Sequence, residues 1–155
     1  MSFIPNAELV TKAWLLAAVP GLSSNVATTL PDFPWPNNEF IHIVRVGGSP
    51  AIDLPQFQPV MSINCYAGKA GSTKPPWGQA NELAMRVVMA TYAAHYAGHA
   101  SVSLAMPTGY SAARVQSVYP VSEVNKTPSD PSQYALYTVD LQLVWIPSDL
   151  VVAAP

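Results

Sequence analysis

The segment "QYALYTVDLQLVW", residues 133–145, constrains the fold more than any other part of the chain. Large apolar side chains alternate in it with polar ones. The apolar set is Tyr137, Val139, Leu141, Leu143 and Trp145, and the polar set is Thr138, Asp140 and Gln142. Because successive side chains of a strand point to opposite faces, this alternation predicts a strand with one buried and one solvated face. Such half-buried strands are typical of antiparallel sheets.

Further strands and two helices are indicated upstream. Asn6 is a favourable N-cap for a first helix that ends at Pro20-Gly21. The clearer strand predictions are "FIHIVRV" (Phe40–Val46), ended by Gly47-Gly48, and "VMSINCY" (Val60–Tyr66). Two more strands are predicted at "SVSLAM" (Ser101–Met106) and "ARVQSVYPVSEV" (Ala113–Val124). A long helix is predicted from about Pro76 to Ala97, before Gly98.

The order of these elements predicts an α+β fold, with a mainly antiparallel sheet packed against a long central helix and a shorter N-terminal helix. A length of 155 residues suits one domain. We therefore expect residues 1–155 to form a single domain, with 1–5 and 147–155 either loose or docked on neighbouring subunits.

The long helix carries apolar residues on two faces. Its core stripe is predicted to be Ala80, Leu83, Ala84, Val87, Val88, Thr91 and Ala94. A second stripe, at spacings of four, three and four residues, consists of Met85, Met89, Tyr92 and Tyr96. A helix that is apolar on two faces is either buried in its domain or has one face on a partner. The second stripe is our first candidate for an interface between subunits.

The composition favours assembly with other protein surfaces. Only 10% of the residues are charged, against about 25% in an average soluble domain, while half are hydrophobic. A weakly charged surface of this kind is commonly covered by a partner or by further copies of the chain. The net charge of −2 gives no basic stripe for a nucleic-acid backbone. The apolar run Ala13–Val19 is far shorter than the ~20 residues that span a bilayer, and no basic segment precedes it. We expect a soluble protein that is not exported by Sec and does not bind membranes.

The segment "GKAGSTKPP", which follows the second strand, lies where a phosphate-binding loop would lie. Such a loop requires a lysine directly after its last glycine, whereas Lys74 follows Gly71 by three residues. Pro75 and Pro76 also lack the N–H groups that would hold a phosphate. We therefore expect an exposed loop and no nucleotide cofactor.

Candidate catalytic and metal-binding groups are few. Cys65, the only cysteine, lies on the predicted apolar face of its strand, where free cysteine usually acts as a small core residue. His95 and His99 have the spacing of a zinc-binding helix, but the stretch "HYAGH" lacks the glutamate, and Gly98 tends to end the helix between them. Glu82 precedes Arg86 by four residues, which predicts an ion pair along the helix surface. We expect no enzyme activity, no metal and no cofactor.

Four segments resemble the tail terminator proteins of long-tailed actinobacterial phages. They are "FIHIVRVGGSP", "DLPQFQPVMSINCYAG", "ANELAMRVVMATYAAH" and "YPVSE…PSQYALYTVDLQLVW". The resemblance covers about residues 5–146 and consists of element order and short matches. These proteins often carry an arginine just before the last strand, where this chain has "SQYALY". A role for that arginine is therefore not carried over.

The resemblance implies a homo-hexameric ring in the virion, at the junction of tail and neck, assembled in the host cytoplasm. Such a ring caps the tail tube protein and contacts a neck or head-completion protein, and the genome passes through it. The loops 68–76 and 125–133, with Lys69, Lys74 and Lys126, are the candidates for contacts along the tail axis. The alternatives are another head–tail neck or connector protein, a small enzyme using Cys65 and a histidine, and a ligand-binding module.

Overall fold

The computed structural model describes residues 2–50, 53–72, 74–96, 102–127 and 134–148, with the backbone alone for 94–96. The helices are α1 (Ala7–Ala18) and α2 (Trp77–Tyr96). The strands are β1 (Val26–Ala27), β2 (Glu39–Pro50), β3 (Phe57–Gly68), β4 (Val102–Leu104), β5 (Ala113–Pro120), β6 (Asn125–Lys126) and β7 (Tyr134–Pro147). The chain is therefore α+β, as the sequence predicted.

The helix boundaries follow the local sequence signals. The Asn6 side chain accepts a hydrogen bond from the Leu9 backbone N–H at 2.8 Å, which satisfies one of the free N–H groups at the start of α1. This confirms the predicted N-cap. The second helix begins at Trp77, one residue after the predicted start, and is described to Tyr96. The predicted last residue, Ala97, lies outside the described residues.

The strands form one sheet in the order β1-β2-β3-β7-β5-β4, with β6 also paired to β7. The first strand pairs parallel to β2, whereas the other described strand pairings are antiparallel. Outside the named strands, an isolated bridge between Phe3 and Tyr110 is also parallel. The sheet is therefore mixed, which corrects the prediction of a mainly antiparallel sheet. A strand of two residues is too short to give a detectable alternation, so the sequence pattern could not reveal the parallel pairing.

The hairpin of β2 and β3 is longer than predicted. Gly47 and Gly48 do not end β2, because the ladder continues to the pairing of Pro50 with Phe57. The register shifts between Arg45 and Gly47, so that Val46 is an extra residue opposite no partner. This is a β-bulge, a device that bends a strand without ending it.

Both helices pack on the same face of the sheet. The first helix contacts β1 and β2 near one edge and β4 at the other, so the sheet curls around it. The second helix lies over β3, β7 and β5. The predicted arrangement of one long central helix is corrected accordingly: the two helices share the concave face, and neither is central alone.

The core lies between this face and the helices. The predicted inward residues Val139, Leu141, Leu143 and Trp145 are buried, and Tyr137 is partly buried. Cys65 is on the same face, paired in register with Ile41 and Tyr137, which confirms its predicted position. On the opposite face, an aromatic cluster covers one end of the sheet: the Trp35 ring contacts Phe33, Phe40, Tyr66 and Tyr134.

Candidate interaction surfaces

The second helix presents an apolar stripe to solvent. Met85, Met89 and Tyr92 expose 45%, 66% and 52% of their surface. The opposite side of the helix is fully buried, with Leu83, Ala84 and Val87 as its central members. The side chain of Tyr96, the fourth predicted member of the stripe, lies outside the described residues. The structure thus places three of the four residues together on the surface, and their role as an interface stays a prediction.

A groove runs beside this stripe. Its helix wall contains Met85, Val88 and Tyr92, and its other wall is the segment 120–124, which leads from β5 to β6. The groove has a volume of about 600 Å³. The second wall is fixed to β7, since the Val121 N–H donates to the Asp140 carbonyl at 2.9 Å and the Asp140 N–H donates to Ser122 Oγ at 2.9 Å. The groove is therefore a formed feature of the surface.

A buried carboxylate lies beneath the other side of the stripe. Arg86 donates to Glu39 Oε1 at 2.5 Å and to the Pro20 carbonyl at 3.1 Å. The predicted ion pair between Glu82 and Arg86 is therefore wrong. The Glu39 side chain is 8% exposed, so it gains more from the guanidinium than Glu82, which is already solvated. Glu82 borders a shallow hollow of about 360 Å³ together with Met85 and Met89.

Two exposed carboxylates flank the stripe: Glu123 lines the groove, and Glu82 lines the hollow on the other side. Glu82 and Glu123 are both exposed, and within the described part of the chain neither forms an ion pair. Arg86, the nearest cation in sequence to Glu82, is held by Glu39. The stripe therefore presents apolar surface with one exposed carboxylate on each side.

The three predicted lysines divide into two groups. Lys69 and Lys74 are exposed on the turn between β3 and α2, which the Ser72 N–H closes by donating to the Lys69 carbonyl at 3.3 Å. Lys126 lies on β6, with its ammonium 4.1 Å from the centre of the Trp77 ring. This cation–π contact is one that Lys126 makes within its own chain. Lys69 and Lys74 are thus the freer candidates for contacts with a partner.

The groups considered for chemistry lie apart. Cys65 is fully buried, and burial, with a further contribution from the charge of Glu39, raises the pKa of its thiol far above the ordinary value. A thiol held neutral is a poor nucleophile. His42 is one residue beyond the register partner of Cys65, and so on the opposite face, where its ring contacts the Thr28 carbonyl at 3.0 Å. The His95 side chain and His99 lie outside the described residues. Among the residues that are described, no three His, Cys, Asp or Glu side chains are grouped as a metal site would require.

The sequence did not single out two exposed apolar residues of the β2–β3 hairpin, which lie apart: Val46 is four residues before the last ladder pair, Pro50 with Phe57, and Leu54 follows that pair. Val46 exposes 56% of its surface and Leu54 exposes 65%. Val46 is exposed because it is the extra residue of the β-bulge. The only sequence signal was the pair Gly47-Gly48, which is equally compatible with the end of a strand and with a bulge.

Comparisons with known proteins identify no family for this chain. No protein-family model matches this chain, and the search of curated proteins returns no significant match. None of the described helices combines the length and the hydrophobicity needed to cross a bilayer.

Proposed function

We propose that this chain is the subunit of a structural ring in a phage virion, a tail terminator that caps the tail tube and joins it to the neck. The observation that carries the proposal is the exposed stripe of Met85, Met89 and Tyr92 on a helix whose other face is core. Exposed apolar side chains grouped on one helix mark a protein contact more often than a free surface. The resemblance of segments within residues 5–146 to tail terminators supplies the kind of assembly.

The proposed ring is a homo-hexamer. A closed ring brings one surface of each subunit against a different surface of its neighbour. The stripe forms one of these surfaces. Lys69 and Lys74, on the exposed turn at one end of the molecule, contact the tail tube protein or the neck protein along the ring axis. The role is structural and needs no cofactor, and the ring belongs to the junction of tail and neck.

Native mass spectrometry tests the ring. We expect a sixfold species for the unmodified chain, and loss of that species in Met89→Asp and Tyr92→Asp, because an aspartate would have to be desolvated in the contact. The control is Leu16→Asp, an exposed apolar residue of α1 outside the stripe, which should assemble normally. A monomeric unmodified protein contradicts the ring, and a sixfold species in both stripe variants removes the stripe from its interface.

The alternative function is that of another neck or connector protein. Such a protein would bind at a different place from a tail terminator. Electron micrographs of the purified protein mixed with tail tubes distinguish the two. A tail terminator is expected at one end of each tube, whereas a neck protein leaves the tube ends bare.

A further inference from the structure

We propose that a pocket between the start of α1 and the turn end of the β2–β3 ladder binds a carboxylate group. The pocket has a volume of about 140 Å³ and is lined by residues of α1, β2, β3 and β7. One water occupies about 30 Å³ in the liquid, so a carboxylate on a short stem has room here. Three of the lining residues carry the proposal: Ala7, Arg45 and Trp145.

Arg45 supplies the positive charge. Its register partner in β3 is the buried Met61, so the Arg45 side chain leaves β2 on the face that carries the helices. Arg45 is exposed, and its one hydrogen bond is long, 3.4 Å to the Gly47 carbonyl. It forms no ion pair with any residue that the structure describes. The guanidinium therefore has donors to spare for an anion that enters from solvent.

The start of α1 adds a second positive potential. Ala7 is the first residue of the helix, and its N–H has no partner within the helix. The Asn6 side chain accepts from Leu9 alone in this turn. The N-terminus of a helix carries a partial positive charge, which favours an anion close to it. Glu8 lies in the same turn, but of the described residues that line the pocket none is acidic.

Trp145 gives an independent indication of a ligand. The residue is 1% exposed, and its indole N–H has no hydrogen-bond partner among the described residues. The ring is held in place by stacking on Phe57, with centroids 4.8 Å apart. Buried N–H groups are almost always hydrogen-bonded in native proteins, so an unpaired one in a pocket wall calls for an acceptor. In the bound state, the indole N–H donates to one carboxylate oxygen and Arg45 to the other.

The walls favour a carboxylate over a phosphate. Apart from Arg45, the pocket has no formally charged side chain among the described residues, so one guanidinium balances one negative charge. Phe57, Pro50 and Pro59 also line it, and they offer apolar surface to a short aliphatic stem. We therefore expect propionate to bind more tightly than inorganic phosphate. The inference goes beyond the proposed ring and does not depend on it.

Propionate is the probe, and the indole N–H resonance of Trp145 is the readout. The chain has four tryptophans, and the Trp145 peak is identified by its contact with the ring protons of Phe57. In ¹H–¹⁵N spectra, we expect a saturable downfield shift of this peak with propionate. Propionamide, which has the same shape and no charge, should give none, and neither should sodium chloride at the same ionic strength.

Arg45→Gln should weaken propionate binding about tenfold or more, the loss expected for a hydrogen bond to a charged group. The matched control is Lys69→Gln, which removes an exposed cation on the turn between β3 and α2 and should leave the affinity unchanged. The thermal midpoint shows that each variant is folded. No saturable shift with propionate, an equal shift with propionamide, tighter binding of phosphate, or unchanged affinity in folded Arg45→Gln overturns the inference.

Two sources of the carboxylate are separated by native mass spectrometry at saturating propionate. Loss of the sixfold species supports an acidic side chain of a neighbouring copy as the ligand, because propionate then competes with it. An intact sixfold species supports a free small carboxylic acid. A monomeric protein whose Trp145 peak still responds to propionate overturns the ring and supports the site.

Discussion

Replacing either member of the ion pair between Arg86 and Glu39 should destabilise the fold, but by different amounts. Glu39 is nearly buried, with a side chain 8% exposed, whereas Arg86 is 36% exposed. Arg86→Met leaves a buried carboxylate without its partner, which in a fully buried pair costs about 3–5 kcal/mol. Here Arg86 is partly solvated, so we expect about 3 kcal/mol. Glu39→Gln leaves an arginine that water can reach, and we expect about 1.5 kcal/mol, the value for a hydrogen bond to a charged group.

Urea unfolding measures these free energies, at one protein concentration so that any assembly affects each variant alike. The double variant completes a thermodynamic cycle, and a coupling of about 1 kcal/mol or more indicates direct interaction. Glu82→Gln is the matched control: it removes a carboxylate on α2 that is exposed and has no ion pair among the described residues, so the change should stay within ~0.5 kcal/mol. Equal losses for Glu39→Gln and Glu82→Gln, or a coupling near zero, would refute the argument from burial.

Two more predictions concern single residues of the hairpin strands. Burial keeps the Cys65 thiol protonated in the folded chain, so above its ordinary pKa of 9.0 only the unfolded chain ionises it. Stability should therefore fall by about 1 kcal/mol between pH 9 and 10, and by about 1.4 kcal/mol per pH unit well above that range. Cys65→Ala should lack this slope in urea titrations between pH 9 and 10, and identical slopes would contradict the assignment. Gly48→Ala should destabilise by about 3 kcal/mol, since it adds a clash to a positive φ, whereas Gly71→Ala, with φ +72° and open space, should cost about 1 kcal/mol. Equal thermal midpoints for Gly48→Ala and Gly71→Ala would show that the strands can move apart at Gly48 without loss of stability.

The features that were predicted correctly from the sequence depend only on residues close together in the chain. The Asn6 cap, the two faces of α2 and the alternation around Val139 all have short periods, so they survive any tertiary arrangement. The partner of Arg86 could not be found in this way. Glu82 is four residues away and favoured by helix geometry, but Glu39, which is 47 residues away, is brought close by the packing of α2 over the end of the sheet. Burial then decides between the two carboxylates, and burial is a property of the fold.

The exposed apolar surface was likewise predictable only in part from local sequence. A helix reveals its exposed apolar stripe in sequence, because a second set of apolar residues at helical spacing has no place in a core already filled by the first. The exposed residues of the hairpin have no such signature: Val46 is exposed at a register shift of one residue, and no local pattern marks the exposed Leu54. The low fraction of charged residues indicated that apolar surface would be covered in an assembly, but a composition cannot indicate which surface covers it.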